Sequence, residues 1–391
     1  MAVRNVEIAS PPPIPLARPL LGDRECAAVA DVLRSGWVTQ GPVVERFERR
    51  VAHYVGAEHA VAVSSGTAAL HLALAVLDIG AGDEVIVPSL TFIATANAVR
   101  MCGAEPVFAE VDDRTFNIDP ISVSRSLTEH TRAIIAVHQF GLPAELDRLR
   151  TIAEERQIPI VEDAACALGS EYGGRRIGAH SLLACFSFHP RKVITTGEGG
   201  MIVTNDADLA DRLRRLRHHG MDRSDWQRHH HPGAHRESYV EAGFNYRLSD
   251  IAAAVGVAQM TRIDEMIASR RRLAARYDDA LRHHPHLRIV EWTYDARSNR
   301  QSYAVCIREG ATIDRDTVLA RLRQRRIAAR HGLACIHREP CYRRAQGNIA
   351  LPRSERLSER MLLLPLYPEM SESDQQSVIE ALHDAVDTDA R

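Results

Sequence analysis

The residue whose chemistry stands out is an amine. The 391-residue chain carries 49 lysines and arginines together, and Lys192 is the one lysine among them, so 48 are arginine. A guanidinium stays protonated at any ordinary pH, whereas a lysine amine can lose its proton and attack a carbonyl. A chain that meets every other need for a cation with arginine points to chemistry at the exception. Composition alone equally allows a surviving surface lysine, and the neighbourhood decides between the two. Phe186-Ser187-Phe188-His189-Pro190-Arg191-Lys192 follows a predicted strand and precedes the glycine-rich turn Thr195-Thr196-Gly197-Glu198-Gly199-Gly200. Ser187 in that run can donate a hydroxyl to a phosphate. The setting is that of a site loop.

Three other segments lie where predicted strands end. Ser64-Ser65-Gly66-Thr67 separates a strand from a helix N-terminus, where small residues let backbone N–H groups approach an anion that the helix dipole favours. Any strand–turn–helix junction looks similar, so this signal is weak alone. Val161-Glu162-Asp163-Ala164-Ala165 sets a carboxylate at the end of an apolar strand. Asp163 there can face the ring nitrogen of a pyridine acting as an electron sink, or it can cap a following helix. Glu162 points to the opposite face if the strand persists. Pro88-Ser89-Leu90-Thr91-Phe92 closes a further strand, and Phe92 either stacks on a flat ring or packs in the core.

The elements that must hold these segments alternate. Helices are predicted at Arg24–Ser35 (ended by Gly36), Glu45–Val55 (ended by Gly56), Thr67–Asp78, Thr95–Cys102 and Leu146–Arg156. Strands are predicted at His59–Ser64, Glu84–Pro88, Val107–Val111, Ala133–Val137, Ile158–Glu162, Ala184–Phe188 and Gly200–Thr204. That order implies an α/β fold with a mostly parallel sheet covered by helices on both faces. Ile251–Tyr277 reads as a helical bridge. Sparser strands (287–292, 302–307) and helices (314–329, 371–386) follow it. The expected division is an arm at 1–19, a large domain at 20–262 and a smaller C-terminal α/β domain at 263–391.

Bulk properties exclude several classes. A net charge of -2, with 45% hydrophobic and 26% charged residues, gives no basic excess for nucleic acid or an anionic membrane. No run approaches the ~18 apolar residues of a spanning helix, and the proline-rich N-terminus lacks the apolar run of a signal peptide. A cytoplasmic protein is expected. The seven scattered cysteines fit neither a disulfide framework nor a zinc site and read as free thiols. His229-His230-His231 and His235, in the polar stretch 221–238, allow a metal site, but without acid or cysteine partners they fit a solvated loop better.

From Ser35-Gly36-Trp37-Val38-Thr39-Gln40-Gly41-Pro42 to Gly243-Phe244-Asn245-Tyr246-Arg247, these motifs in this order resemble the DegT/DnrJ/StrS family of fold-type I aminotransferases. The family acts on nucleotide-linked keto-sugars and on keto-cyclitols with pyridoxal 5′-phosphate. The resemblance implies that Lys192 anchors the cofactor and moves the proton, Asp163 pairs with the pyridine nitrogen, and Phe92 stacks on the ring. Gly66, Thr67 and Ser187 would hold the phosphate, completed by Asn245 from a neighbouring subunit, which implies a homodimer with shared sites. Arg247 would hold a substrate or donor carboxylate. Two departures stand out. Cys166 occupies a position near the cofactor's phenolic oxygen where the family often has glutamine or histidine. Arg330 to His337 replaces a His-Tyr-x-Pro pattern, leaving His337 as a candidate for the substrate. The implied reaction is ping-pong transamination of a keto-sugar, with glutamate or glutamine as donor. The alternatives are a glutamine-dependent keto-cyclitol aminotransferase and a non-catalytic regulatory protein of the same fold. Dehydratases of the family carry histidine at the lysine position, and Lys192 speaks against that activity.

Overall fold

Alternation of side chains along the strands builds the centre of the molecule. In the computed structural model, which describes residues 13–223, 226, 229, 237–346 and 349–387, seven strands form one sheet. Their spatial order is His59–Val63, Gly200–Thr204, Leu183–Ser187, Ile160–Asp163, Thr131–Val137, Glu84–Pro88 and Glu105–Ala109. Only Gly200–Thr204 runs against its neighbours, so the sheet is mostly parallel, as the sequence implies. Along Thr131–Val137, Ile134 and Ala136 join one apolar core while Ala133, Ile135 and Val137 join another. Both faces are therefore covered, which is why these strands read as continuous apolar runs.

One face is covered by helices Asp23–Ser35, Pro42–Val55, Leu146–Arg156 and Asp250–Met260, the other by Gly66–Ala75, Ala94–Met101 and Ala207–Leu216. Helix Gly66–Ala75 has no polar side, and even His71 is buried, as expected of a helix sealed between sheet and surface layer. Gly36 and Gly56 end their helices in the left-handed conformation (φ 76° and 80°), the role expected of glycine there. The helix opened by the Gly41-Pro42 motif, Pro42–Val55, is capped from a distance. The Asp250 carboxylate accepts the N–H groups of Gly41, Val43 and Val44 at 2.9, 3.1 and 2.9 Å, so the two motif-rich segments around residues 35–42 and 243–250 are held together.

A second sheet, Leu287–Ile289, Tyr303–Ile307, Met361–Leu364 and Arg330–His331, packs on helices Arg315–Gln324 and Glu372–Asp387 around its own core. Helix Ile263–Leu281 contributes to the large sheet's core at its start and to this core at its end. The chain's N-terminal side joins the same body: Ile14 pairs with Ile327, and the Leu366 N–H donates to the Leu16 carbonyl. Several expectations shift. The helical bridge breaks at Thr261-Arg262, the 287–292 strand stops at Ile289, the 314–329 helix stops at Gln324, and the 67–78 helix ends at Ala75. All seven cysteines are free. No helix among the described residues is long and apolar enough to cross a membrane, and no cluster of metal-ligating side chains occurs among them. His229 packs edge-on against Trp37; His230, His231 and His235, like residues 1–12 of the arm, lie outside the described residues.

Candidate active site

Sheet topology collects the sequence-picked segments at one edge. Strands His59–Val63, Glu84–Pro88, Ile160–Asp163 and Leu183–Ser187 share a direction, so Ser64, Ser89, Asp163 and Ser187 all emerge at the carboxyl ends, where open α/β sheets bind ligands. Register sharpens this. Asp163 pairs with Cys185, and Val63 and Ser187 both pair with Gly200. Asp163 shares the side-chain parity of Val161, and Ser187 that of Cys185. Both therefore face the helix Gly66–Ala75 layer.

Glu162 faces the other way, as strand alternation requires. It is fully buried and bonded at 2.7 Å to His138, whose Nδ1 accepts the Ala144 N–H, so Nε2 carries the proton that Glu162 accepts. Burial alone would push the Glu162 carboxyl up, yet the His138 hydrogen bond holds it below the ordinary range. Asp163 moves in the opposite direction. It is 6% exposed, accepts Thr95 Oγ1 at 2.8 Å and the Ala165 N–H at 3.2 Å, and burial raises its carboxyl against the opposing pull of those donors and of Lys192. No helix begins at Asp163; the chain turns after it, which removes the helix-cap alternative. Thr95 is in turn bonded to Thr91 at 3.1 Å, a relay the sequence reading missed because neither threonine carries a local signal.

Lys192 lies in the loop after Leu183–Ser187, and its Nζ donates to Cys166 Sγ at 3.1 Å. The lysine thus reaches the turn that follows Asp163. The expected phosphate cradle is equally tight. A Cβ on Gly66 would lie 2.8 Å from Ser187 Cβ and 3.2 Å from its Oγ, and one on Gly200 would lie 2.3 Å from the Ser65 carbonyl oxygen. Ser65 caps the helix through Ala68 N at 3.1 Å, leaving the first-turn N–H groups at Gly66 and Thr67 as orphan donors of the kind that hold anions. Phe92, at 69% exposed, is not a core residue.

The other three expected residues lie apart. Asn245 is exposed on a loop tied to the cradle by the Ser64 N–H to Tyr246 carbonyl bond (2.8 Å). Arg247 bonds through Nη1 to His218 Nδ1. His337 is 3% exposed with both ring nitrogens engaged, by Ser89 at 2.5 Å and Glu355 at 3.2 Å. Two cavities of about 650 and 630 Å³ occur elsewhere, one beside Arg114, Trp292 and Tyr294 and the other beside Gln40, Glu48 and Arg217. Neither is lined by Lys192, Asp163 or Ser187.

One amine, one buried carboxylate on a parallel face and one anion cradle, all at a single sheet edge, fit pyridoxal 5′-phosphate by the chemistry of the donor set: an amine for its aldehyde, an anion for its ring nitrogen, N–H and O–H donors for its phosphate. Known proteins agree. DesV from S. venezuelae is 36% identical over 96% of this chain and 98% of its own, with a TM-score of 0.87. Helicobacter pylori PseC, an aminotransferase involved in the biosynthesis of pseudoaminic acid, is 26% identical over 96% and 100%, with a TM-score of 0.90. The PLP form of Spr1654 from Streptococcus pneumoniae is 28% identical over 96% and 99%, also at 0.90. The profile of the DegT/DnrJ/EryC1/StrS aminotransferase family matches residues 19–383. The chain belongs to that family and is a pyridoxal-phosphate-dependent aminotransferase.

Proposed function

We propose that the enzyme aminates the keto group of a nucleotide-linked sugar, taking the amino group from glutamate or glutamine in a ping-pong cycle. The observation that carries the transamination chemistry of this reading is the approach of the sole lysine, Lys192, to within 3.1 Å of Cys166 in the turn after Asp163. A second support is the similarity to PseC, an aminotransferase involved in the biosynthesis of pseudoaminic acid. When bound, the cofactor supplies an electron sink that makes the C–H bond beside the donor's amino group acidic.

The chain's own residues do the rest. Lys192 would hold the cofactor through its nucleophilic amine, and that amine, when free, would take the proton from the donor carbon and return one on the acceptor side. Asp163, buried and unable to share its charge with water, keeps the ring nitrogen protonated and is bound in turn by Thr95. Gly66, Thr67 and Ser187 hold the phosphate, and Phe92 covers the ring face. Asn245 of a second copy completes the phosphate site and Arg247 takes a carboxylate, which makes the homodimer the working unit. We assign His337 to bracing Ser89, because its two nitrogens are already engaged.

The test is an absorbance spectrum of the purified protein with added cofactor, alongside Lys192→Ala. We expect a visible band that glutamate or glutamine bleaches, that a nucleotide-linked keto-sugar restores, and that the variant lacks. Borohydride should fix cofactor on Lys192, because the chain offers no second lysine. A band restored only by a keto-cyclitol would replace the sugar assignment. A native protein with no band would overturn Lys192 as anchor.

A further inference from the structure

The residues that hold the two site loops in place come from outside the large sheet. Between strands Ala296–Arg297 and Tyr303–Ile307 the chain crosses both loops at Ser298–Gln301. Asn299, fully buried, donates from Nδ2 to the carbonyls of Cys166 and Leu168, each at 2.9 Å. Its backbone N–H donates to Ser170 Oγ at 3.0 Å, and that hydroxyl donates to the Gly141 carbonyl at 2.6 Å. Two residues on, Gln301 donates from Nε2 to the carbonyl of Arg191, the residue before Lys192, at 2.8 Å. The two amides are locked to each other, since Asn299 Oδ1 accepts the Gln301 N–H at 2.9 Å.

The crossing segment is itself immobilised. Arg270 is 2% exposed and sends Nη1 to the carbonyls of Gln301 and Leu366, at 3.0 and 3.1 Å. Arg300, held at φ 54°, is bound to Asp278 at 2.6 Å. On the other side Gly141 is irreplaceable: at φ 88° a Cβ would lie 1.9 Å from Asn299 Oδ1 and 3.0 Å from the Cys166 carbonyl oxygen. Carbonyls in both loops, including those of Cys166 and of Arg191 beside Lys192, are therefore fixed to a common strut that ends in the second sheet.

We propose that Asn299 and Gln301 are positioning residues, a two-loop clamp that sets where the Lys192 amine stands against Cys166 and Asp163. This rests on the reading of Lys192 as the anchor. Neither residue touches the reacting atoms in this reading. They act through three carbonyls, those of Cys166, Leu168 and Arg191, and displacement of a reacting group by about 1 Å is enough to cost a large factor in rate. The clamp also explains why the lysine loop, irregular along its length, presents its amine in a defined direction.

The test compares the native enzyme with Gln301→Met, which keeps length and removes the donor, and with Asn299→Ser, which keeps the backbone bonds and removes the reach. Hydrogen exchange is read on the cofactor-free protein, so the result stands whether or not the anchor reading holds. Amides of 189–196 in Gln301→Met, and of 163–169 in Asn299→Ser, should exchange about tenfold faster, with strand Tyr303–Ile307 unchanged. On the loaded enzyme the pH midpoint of the visible band should move by about half a unit or more. The value of kcat should fall about tenfold while the donor KM stays within about threefold. Unchanged loop exchange, or exchange that rises equally through Tyr303–Ile307, would overturn the clamp. So would an unmoved band midpoint. If one variant fails to fold, the other carries the same readings. A native enzyme with no band fails the anchor reading separately, and loop exchange still decides the clamp.

Discussion

A carboxylate with 6% of its surface exposed and two donors beside it is costly to ionise, and Asp163 is in that position. Glu162, its neighbour in sequence, is buried more deeply but keeps its charge, because His138 donates to it at 2.7 Å. The difference is one of partners, and it identifies which of the two carboxylates is left to meet a cation at the site. A consequence for stability follows from the sign of the Asp163 shift. In the cofactor-free protein the folded state binds that proton more tightly than the unfolded chain does. Stability is therefore lost as pH climbs from the ordinary aspartate range through the raised value, and the loss is complete above it. Asp163→Asn removes this dependence. The variant should match the native protein below that window and melt higher above it, while kcat falls about 10²–10³-fold through loss of the fixed charge. Melting curves of the cofactor-free proteins from about pH 3 to 8, with kcat on the loaded enzymes, check both parts. A variant that melts lower at neutral pH would mean that the Thr95 and Ala165 bonds outweigh the burial.

Among elements, the ones legible in the sequence are those with enough length to carry a period. All seven strands of the large sheet appear there with ends within a few residues, and so do its long helices apart from Ala207–Leu216, which the sequence reading passed over; Glu84–Pro88, Leu146–Arg156 and Gly200–Thr204 match at both ends. The two-residue strands Glu171–Tyr172, Arg175–Arg176, Arg330–His331 and Ala334–Cys335 were invisible because two residues have no alternation to read. The same limit divides the site. Lys192, Asp163, Ser187 and Gly66 were legible as candidates since each sits at a strand end or turn, where local chemistry is informative. Asn299 was not, because its partner Cys166 lies 133 residues away and nothing local marks a long-range amide. Asp250 is a second case of the kind, capping helix Pro42–Val55 across 207 positions. Asp250→Ala should destabilise the enzyme by about 3 kcal/mol, leaving three buried N–H groups without an acceptor. Denaturant unfolding measures it. A loss under about 1 kcal/mol would mean that water or a neighbouring group replaces the cap.

At the scale of the whole molecule, the segment at Ile14–Leu16, which precedes the large sheet, and segments that follow it share one body: Ile14 pairs beside Ile327, and Leu16 accepts the Leu366 N–H. The large sheet supplies the site residues, and the second body supplies the strut that orders them. What neither body supplies within one chain is a contact from Asn245 to Lys192 or Asp163 among the described residues, although the Asn245 loop is anchored at Ser64. If each site is completed by the other copy, catalysis is a property of pairs, and that can be counted. Lys192→Ala alone should be inactive, and Asn245→Ala alone should bind cofactor weakly. Mixed by co-expression, random pairing makes about half of the dimers mixed. Each mixed dimer has one site with both residues intact and one with neither, so activity should return to about a quarter of the native value. Sites built within a single chain cannot recover this way, since no protomer in the mixture holds both residues. Activity would then stay below that of Asn245→Ala alone, diluted by its inactive companion, and the shared-site reading would fall while the fold and the anchor stood.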